Sequence, residues 1–213
     1  MRRLVLIGAL LLLGGCNMVM TTTPPFTKAD EGGSPGLRPG VWAGDGSGPC
    51  AFDEKTSVVD WPSCANGAII GEGVVRSWQD KPGGGTQTSS DYILVNGDPR
   101  ILQVHAVELA PGSGLSVSAY LYAGLRPTKV DDHGRITAYS AWLVMCGPPP
   151  PPTAADGGKI SYGTHDPLPE MVMDKGGDDC TTSSTLALRN AAAASVKFGA
   201  DLGTSRWVRD GDR

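Results

Sequence analysis

The stretch between residues 67 and 146 constrains the fold most. It is a succession of β-branched and aromatic runs divided by turn residues. "DYILV" is followed by "NGDPR" and then "ILQVHAVEL". Asn96-Gly97 between two apolar runs signals a hairpin, because both residues tolerate positive φ. "LSVSAYLYAG" alternates, with Val117, Ala119, Leu121 and Ala123 on one face and Ser116, Ser118, Tyr120 and Tyr122 on the other. "AIIGEGVVRSW" reads as one β-branched run, in which Gly71 and Gly73 permit a bulge or a close approach. "VDDHGRI" is a turn leading into "RITAYSAWLVMC", which is apolar on both faces and therefore central. Successive strands joined by short turns make an antiparallel meander.

The remainder of the chain sets what surrounds that meander. "TTSSTLALRNAAAASVKF" is alanine-rich with Ser and Thr at its start, the pattern of a capped helix. "SRWVRD" returns as a last strand. The five prolines at 148–152 favour an extended polyproline segment, and a short strand is expected at 159–162 within the loop that follows. The expected class is α+β: an antiparallel β-meander of about five to six strands, as a sheet or small open barrel, with one C-terminal helix. The 30 glycines and 17 prolines among 213 residues agree with many turns.

The N-terminus carries a different signal. Arg2 and Arg3 precede an apolar run over residues 4–13, then Gly14, Gly15 and Cys16. A basic start, a short apolar run and small residues make a secretory signal peptide. The run is too short to span a bilayer, which takes about 20 residues. Leu13-Gly14-Gly15-Cys16 resembles the lipobox of bacterial lipoproteins. That resemblance implies cleavage before Cys16 and acylation of its thiol, and several acyl chains on one residue hold a protein to a bilayer almost permanently. Asn17, rather than Asp, follows the cysteine, which by the same resemblance implies the outer membrane, with the domain facing the periplasm. The expected organisation is a signal peptide over 1–15, a lipidated flexible tether over 16–40 and one β-rich domain over 41–213. The tether, rich in Pro, Gly and Thr, would span roughly 25 to 30 Å as a coil.

Loss of the signal leaves 16 basic against 22 acidic residues, a net charge of −6. Such a domain lacks the clustered Lys and Arg that nucleic acid demands. The four cysteines other than Cys16 form an even set in an exported chain, which reads as disulfides. Three pairings are possible. The sequential one, Cys50–Cys64 and Cys146–Cys180, closes two short turn-rich loops and is expected here. No two cysteines have the close spacing of a zinc site.

Catalytic motifs are absent from the sequence. "GDGSGP" has its serine one place late, and every histidine follows it. No Gly-x-Ser-x-Gly elbow and no His-Glu-x-x-His occur. "GEGVVR" lacks the third glycine of a dinucleotide fingerprint. His105 lies mid-strand near Glu108, and His133 follows Asp131 and Asp132 in a turn. In "HDPLPEMVMD", His165, Met171 and Met173 offer an imidazole and two thioethers suited to Cu(I), whereas a core role for both methionines is the plainer reading. Trp42 and Trp61 read as core plugs. Gly40-Val41-Trp42 resembles the first-strand motif of lipocalin-like barrels, which implies a carrier for small apolar molecules. The sequence thus points to a non-enzymatic lipoprotein serving as an envelope accessory or binding module, with no cofactor. Its partners would be the membrane, and an envelope protein or a small apolar ligand. The alternatives are a lipocalin-like carrier or a copper-binding protein.

Overall fold

Each turn signal between 67 and 136 folds two strands against each other, and the last strand turns this meander into a ring. The computed structural model describes residues 17–33, 35–45, 50–79, 86–109, 116–150, 164, 166–175, 177 and 179–211. The expected signal peptide, Cys16, the strand expected at 159–162 and His165 lie outside the described residues. The strands are β1 (Met20–Thr21), β2 (Gly40–Gly44), β3 (Ala68–Ile70), β4 (Val74–Gln79), β5 (Thr86–Val95) and β6 (Arg100–Leu109). They continue with β7 (Ser116–Val130), β8 (Ile136–Leu143), β9 (Val172–Met173), β10 (Cys180–Thr181) and β11 (Asp201–Arg209), and the helix α1 (Thr185–Ser195) precedes β11.

From β2 to β8 every strand pairs with its sequence neighbour, and β11 inserts between β8 and β2. Trp207 lies opposite Trp42 on one side of β11, and Ser205 lies opposite Tyr139 on the other. The result is a closed barrel of eight antiparallel strands, an α+β chain with one helix. The strands outnumber the five to six expected from sequence. "AIIGEGVVRSW", read there as one run, is two strands folded at Gly71–Gly73. Gly71 N–H donates to Val74 O at 2.8 Å, and Gly73 takes φ +70°, a conformation that suits glycine. The short β2 and the returning β11 then complete the ring.

Residues directly opposite in an antiparallel pair point to the same face, so the register sorts inside from outside. Leu94 opposes Leu102, which opposes Ala123; Leu125 opposes Ala141; Ile70 opposes Val75. These side chains face the lumen. Trp42, Ile70, Leu94, Leu125 and Ile136 form a buried cluster there with Leu37. The opposite face carries Val95, Ile101, Tyr122 and Val144, which pack against Ala187, Leu188, Ala191 and Ala192 of α1. The helix therefore lies on the outside wall. Its cap is the one the sequence indicates: Ser184 Oγ accepts from Ala187 N–H. Trp142 Nε1 donates to Ala192 O at 2.8 Å and fixes the helix to β8. Gly124 on β7 is required beneath it, since a Cβ there would collide with the Trp142 ring.

Two further pieces cover the outer wall. The first is the loop stapled by Cys50–Cys64 (Cα–Cα 5.7 Å). It lays Val58, Trp61 and Ala65 on the outer faces of Val41 and Ala43, with the Phe52 ring tilted against Trp61 at 4.5 Å between centroids. The second is the segment expected as a flexible tether, which is instead part of the fold. Asn17, Val19 and Phe26 are buried; β1 pairs with β7, and Gln103 holds Phe26 through both its backbone N–H and its carbonyl. The segment then passes below the barrel, where Arg38 N–H donates to Ile136 O and Ile136 N–H to Gly36 O. Its Pro and Thr content resembled a linker because most of the partners that fix it to the barrel lie 65 or more positions away.

The cystine Cys146–Cys180 (Cα–Cα 5.8 Å) straddles this segment. Cys146 N–H donates to Asn17 O at 3.0 Å, and Cys180 N–H to Met18 O at 3.2 Å. Replacing Cys146 and Cys180 with serine is expected to cost about 4 kcal/mol, against about 3 kcal/mol for Cys50 and Cys64, from loop closure alone. Urea unfolding of the two double variants checks the order through the shift in midpoint.

Candidate functional site in the barrel lumen

The two ends of the lumen differ. At the end where β2 begins, Leu37 and Ile136 cross beneath Trp42, and the Trp42 and Tyr139 rings meet at 5.4 Å. Trp42 Nε1 donates to Arg38 O at 2.9 Å, and Trp207 Nε1 to Pro39 O at 3.0 Å. The Arg38 guanidinium lies 3.5 Å from the centre of the Trp207 ring. Arg100, opposite Leu125, donates to Pro35 O at 2.5 Å. Indole donors and backbone acceptors are thus matched, and this end is a packed floor.

Toward the other end the inward side chains shrink. Ser77 opposes Ala68 and Thr88; Ser90 opposes Val75; Ala106 opposes Ala119; Gly203 opposes Ala141. An eight-stranded barrel is just wide enough to be filled by side chains or to hold one small ligand. Small residues favour the second outcome. Exposure agrees with this: inward-facing Leu102, Val104, Ala106, Leu121 and Leu143 are only half-buried. On the same strands, outward-facing Val95 and Ile101 are fully buried, each 0 % exposed. Inward Leu94, Ala119, Ala123 and Leu125 are buried, so among the described side chains of β6, β7 and β8 the accessible aliphatic part of the inner wall is confined to those five positions.

The lumen has two flanks. β6 and β7 present Leu102, Val104, Ala106, Ala119 and Leu121, which are purely apolar. β4 and β5 present hydroxyls: Ser77 Oγ lies 2.9 Å from Thr88 Oγ1, and Tyr92 Oη donates to Gly71 O at 3.0 Å. Tyr139 and Ser205 add a hydroxyl pair from β8 and β11. Above the floor the register places one charged residue on the inward face, Glu108 opposite Val117 near the mouth, and no cationic one among the described residues. Burial pushes the Tyr92 phenol up to about 12, helped by the Glu31 carboxylate. Burial also raises Tyr139, against a hydrogen bond from Ser205. Both phenols stay neutral donors under ordinary conditions.

The residues singled out from sequence lie elsewhere. Met171 is buried in the outer-wall cluster beside Val19 and Phe26, and Met173 packs on that cluster. Filling that core accounts for both thioethers. Among the described residues no group of three His, Cys, Asp or Glu could hold a metal ion. His105 is on the outer wall, stacked on Tyr120 at 4.7 Å and 2.6 Å from Ser118 Oγ. His133 sits in an exposed turn 3.8 Å from Asp132, while Asp131 binds Arg135. A second concavity, an open cleft of about 570 Å³, lies on the outside between residues 21–25, Glu170, Val172 and residues 181–184. Sequence reasoning missed the luminal hydroxyls, because a serine alternating with valine ordinarily marks the solvent face. The alternating alanines of "HAVEL" and "VSAYLYAG" were the available sign that one face needs room.

No protein-family model, no curated protein and no solved structure matches this chain. No helix among the described residues is long and apolar enough to cross a membrane.

An acid kept protonated by the fold stabilises it below the acid's ordinary pKa, and that stabilisation is lost as pH rises through the raised value. For Tyr92, and for Tyr122 on the outer wall, this window runs from 10.0 to about 12. The unfolding midpoint is expected to fall across it, and to fall less steeply in Tyr92→Phe. Denaturant titrations on either side of the window, paired with ultraviolet phenolate absorbance, measure both.

Proposed function

We propose that this protein is a lipid-anchored binding module that carries a small neutral molecule in its barrel. The observation that supports this reading is that Leu102, Val104, Ala106, Leu121 and Leu143 on the inner face of one closed barrel are half-buried, while Val95 and Ile101 on its outer face are sealed. A core that filled the lumen would bury Leu102, Val104 and Leu121 as fully as Ile101. The apolar flank on β6 and β7 would take the body of a ligand, and the hydroxyls on β4, β5 and β8 one polar edge. An anionic ligand would lose its hydration with no cationic group on the described inward face above the floor to offset it, and Glu108 at the mouth would repel it, so a neutral ligand is preferred to an anionic one. The lipobox resemblance supplies the rest of the proposal: acylation at Cys16, the outer membrane and a periplasm-facing domain. The Gly40-Val41-Trp42 resemblance to lipocalin-like barrels supports the carrier role, since Trp42 belongs to the floor of the ring. The copper alternative gains no support from Met171 and Met173, which pack in a core.

The fluorescent amine N-phenyl-1-naphthylamine, which is neutral and largely apolar, is expected to bind the protein in the micromolar range. A long-chain alcohol should displace it more readily than the carboxylate of equal length. Ala119→Trp, which fills the apolar flank, should weaken binding by at least about tenfold while circular dichroism and the thermal midpoint stay near those of the parent. Equal binding by parent and variant, or none by the parent, would contradict the luminal site.

A further inference from the structure

The segment that follows Cys16 is clamped on all sides. Asn17 is 0 %, Met18 7 % and Val19 1 % exposed. On one edge Val19 N–H donates to Val144 O at 3.0 Å and Asn17 O accepts from Cys146 N–H. On the other edge Met18 O accepts from Cys180 N–H, and Val19 bridges Cys180 in parallel. Asn17 Nδ2 donates to Gly147 O at 2.8 Å, and Met18 N–H to Asp179 Oδ1 at 3.0 Å. The Cys146–Cys180 cystine joins the two edges around the strand. No flexible spacer therefore separates Cys16 from the fold, because its next residue in the chain is the buried Asn17.

The surface beside this exit has a distinct character. β10 bridges Val19 directly, and β9 pairs with β10. β9 presents Val172 at 64 % exposure, and the first turn of α1 presents Leu186 at 62 %. These are two of the five large apolar side chains that are exposed among the described residues. β1 pairs with Leu121 and Tyr120, the sixth and fifth of the fifteen residues of β7, so the exit opens from the barrel wall.

We infer that the partner of this face is the lipid surface itself. With acyl chains on Cys16, the side formed by the β9–β10 hairpin and the first turn of α1, next to the clamped strand, rests against the bilayer. Val172 and Leu186 enter the headgroup boundary, and the barrel is carried on its side. This inference rests on the lipoprotein reading of Cys16 and adds to it a fixed contact surface.

The test uses the lipidated full chain in vesicles that contain brominated phospholipid, which quenches tryptophan on contact. Val172→Trp and Leu186→Trp report on the proposed face, and Val130→Trp, exposed at the floor end, is the reference. Quenching at 172 and 186 is expected to exceed that at 130 by about twofold or more, as for side chains seated in the interface. A Gly-Ser spacer of about 12 residues inserted after Cys16, with a reach of roughly 20 Å, should bring all three to one level. Equal quenching at the three sites without the spacer, or quenching unchanged by it, would overturn the contact surface while leaving the anchor standing. A mass spectrum with no acyl group on Cys16 would overturn both. Hydrogen exchange on a soluble Cys16→Ser chain reads the clamp separately: amides of Val19, Cys146 and Cys180 should be protected, and rapid exchange there would overturn it.

Discussion

Everything in this molecule depends on β11 entering the gap between β8 and β2. A meander of seven strands would leave two open edges, each a row of unpaired backbone donors and acceptors. β11 satisfies both edges at once, pairing Ser205 with Tyr139 on one side and Trp207 with Trp42 on the other. Arginines on the same strand tie the stapled loop down: Arg206 reaches the Glu54 carboxylate, and Arg209 the carbonyls of Glu54 and Thr56. Closure therefore also fixes the cover of the outer wall.

That cover is why the lumen is free to differ from a core. The clusters under α1 and under the stapled loop bury Val95, Ile101, Val41 and Trp61 outside the ring. Burial of such side chains is worth about 1.5 to 3 kcal/mol each, so the outer clusters and the Trp42 floor can hold the fold without a filled lumen. Small residues near the mouth are then tolerated, and the Ser77 and Thr88 hydroxyls face inward bonded to each other.

Local features were legible in the sequence. The Asn96-Gly97 turn, the Ser184 cap, the alternation of β7 and the doubly buried β8 each depend on neighbours a few residues apart. What escaped were relations across the chain. Closure needs Trp207 beside Trp42, and nothing within "SRWVRD" announces that. The segment beginning at Asn17 has the composition of a linker, yet it is a strand because Val144, Cys146 and Cys180 offer it edges. Luminal serines read as solvent-facing because alternation shows two faces without saying which one is inside. Cys16 and His165 were the sharpest chemical signals in the sequence, and both lie outside the described residues.

The straddled strand also sets an order of events. Asn17 and Met18 find their partners at Gly147 and Asp179, 130 and 161 positions later. A chain made N-terminus first delivers that strand long before its slot exists, and contacts of such separation form slowly. Maturation must end where synthesis began: the opening residues stay unpaired until the final third of the chain arrives, and sealing of the second thiol pair around them marks completion.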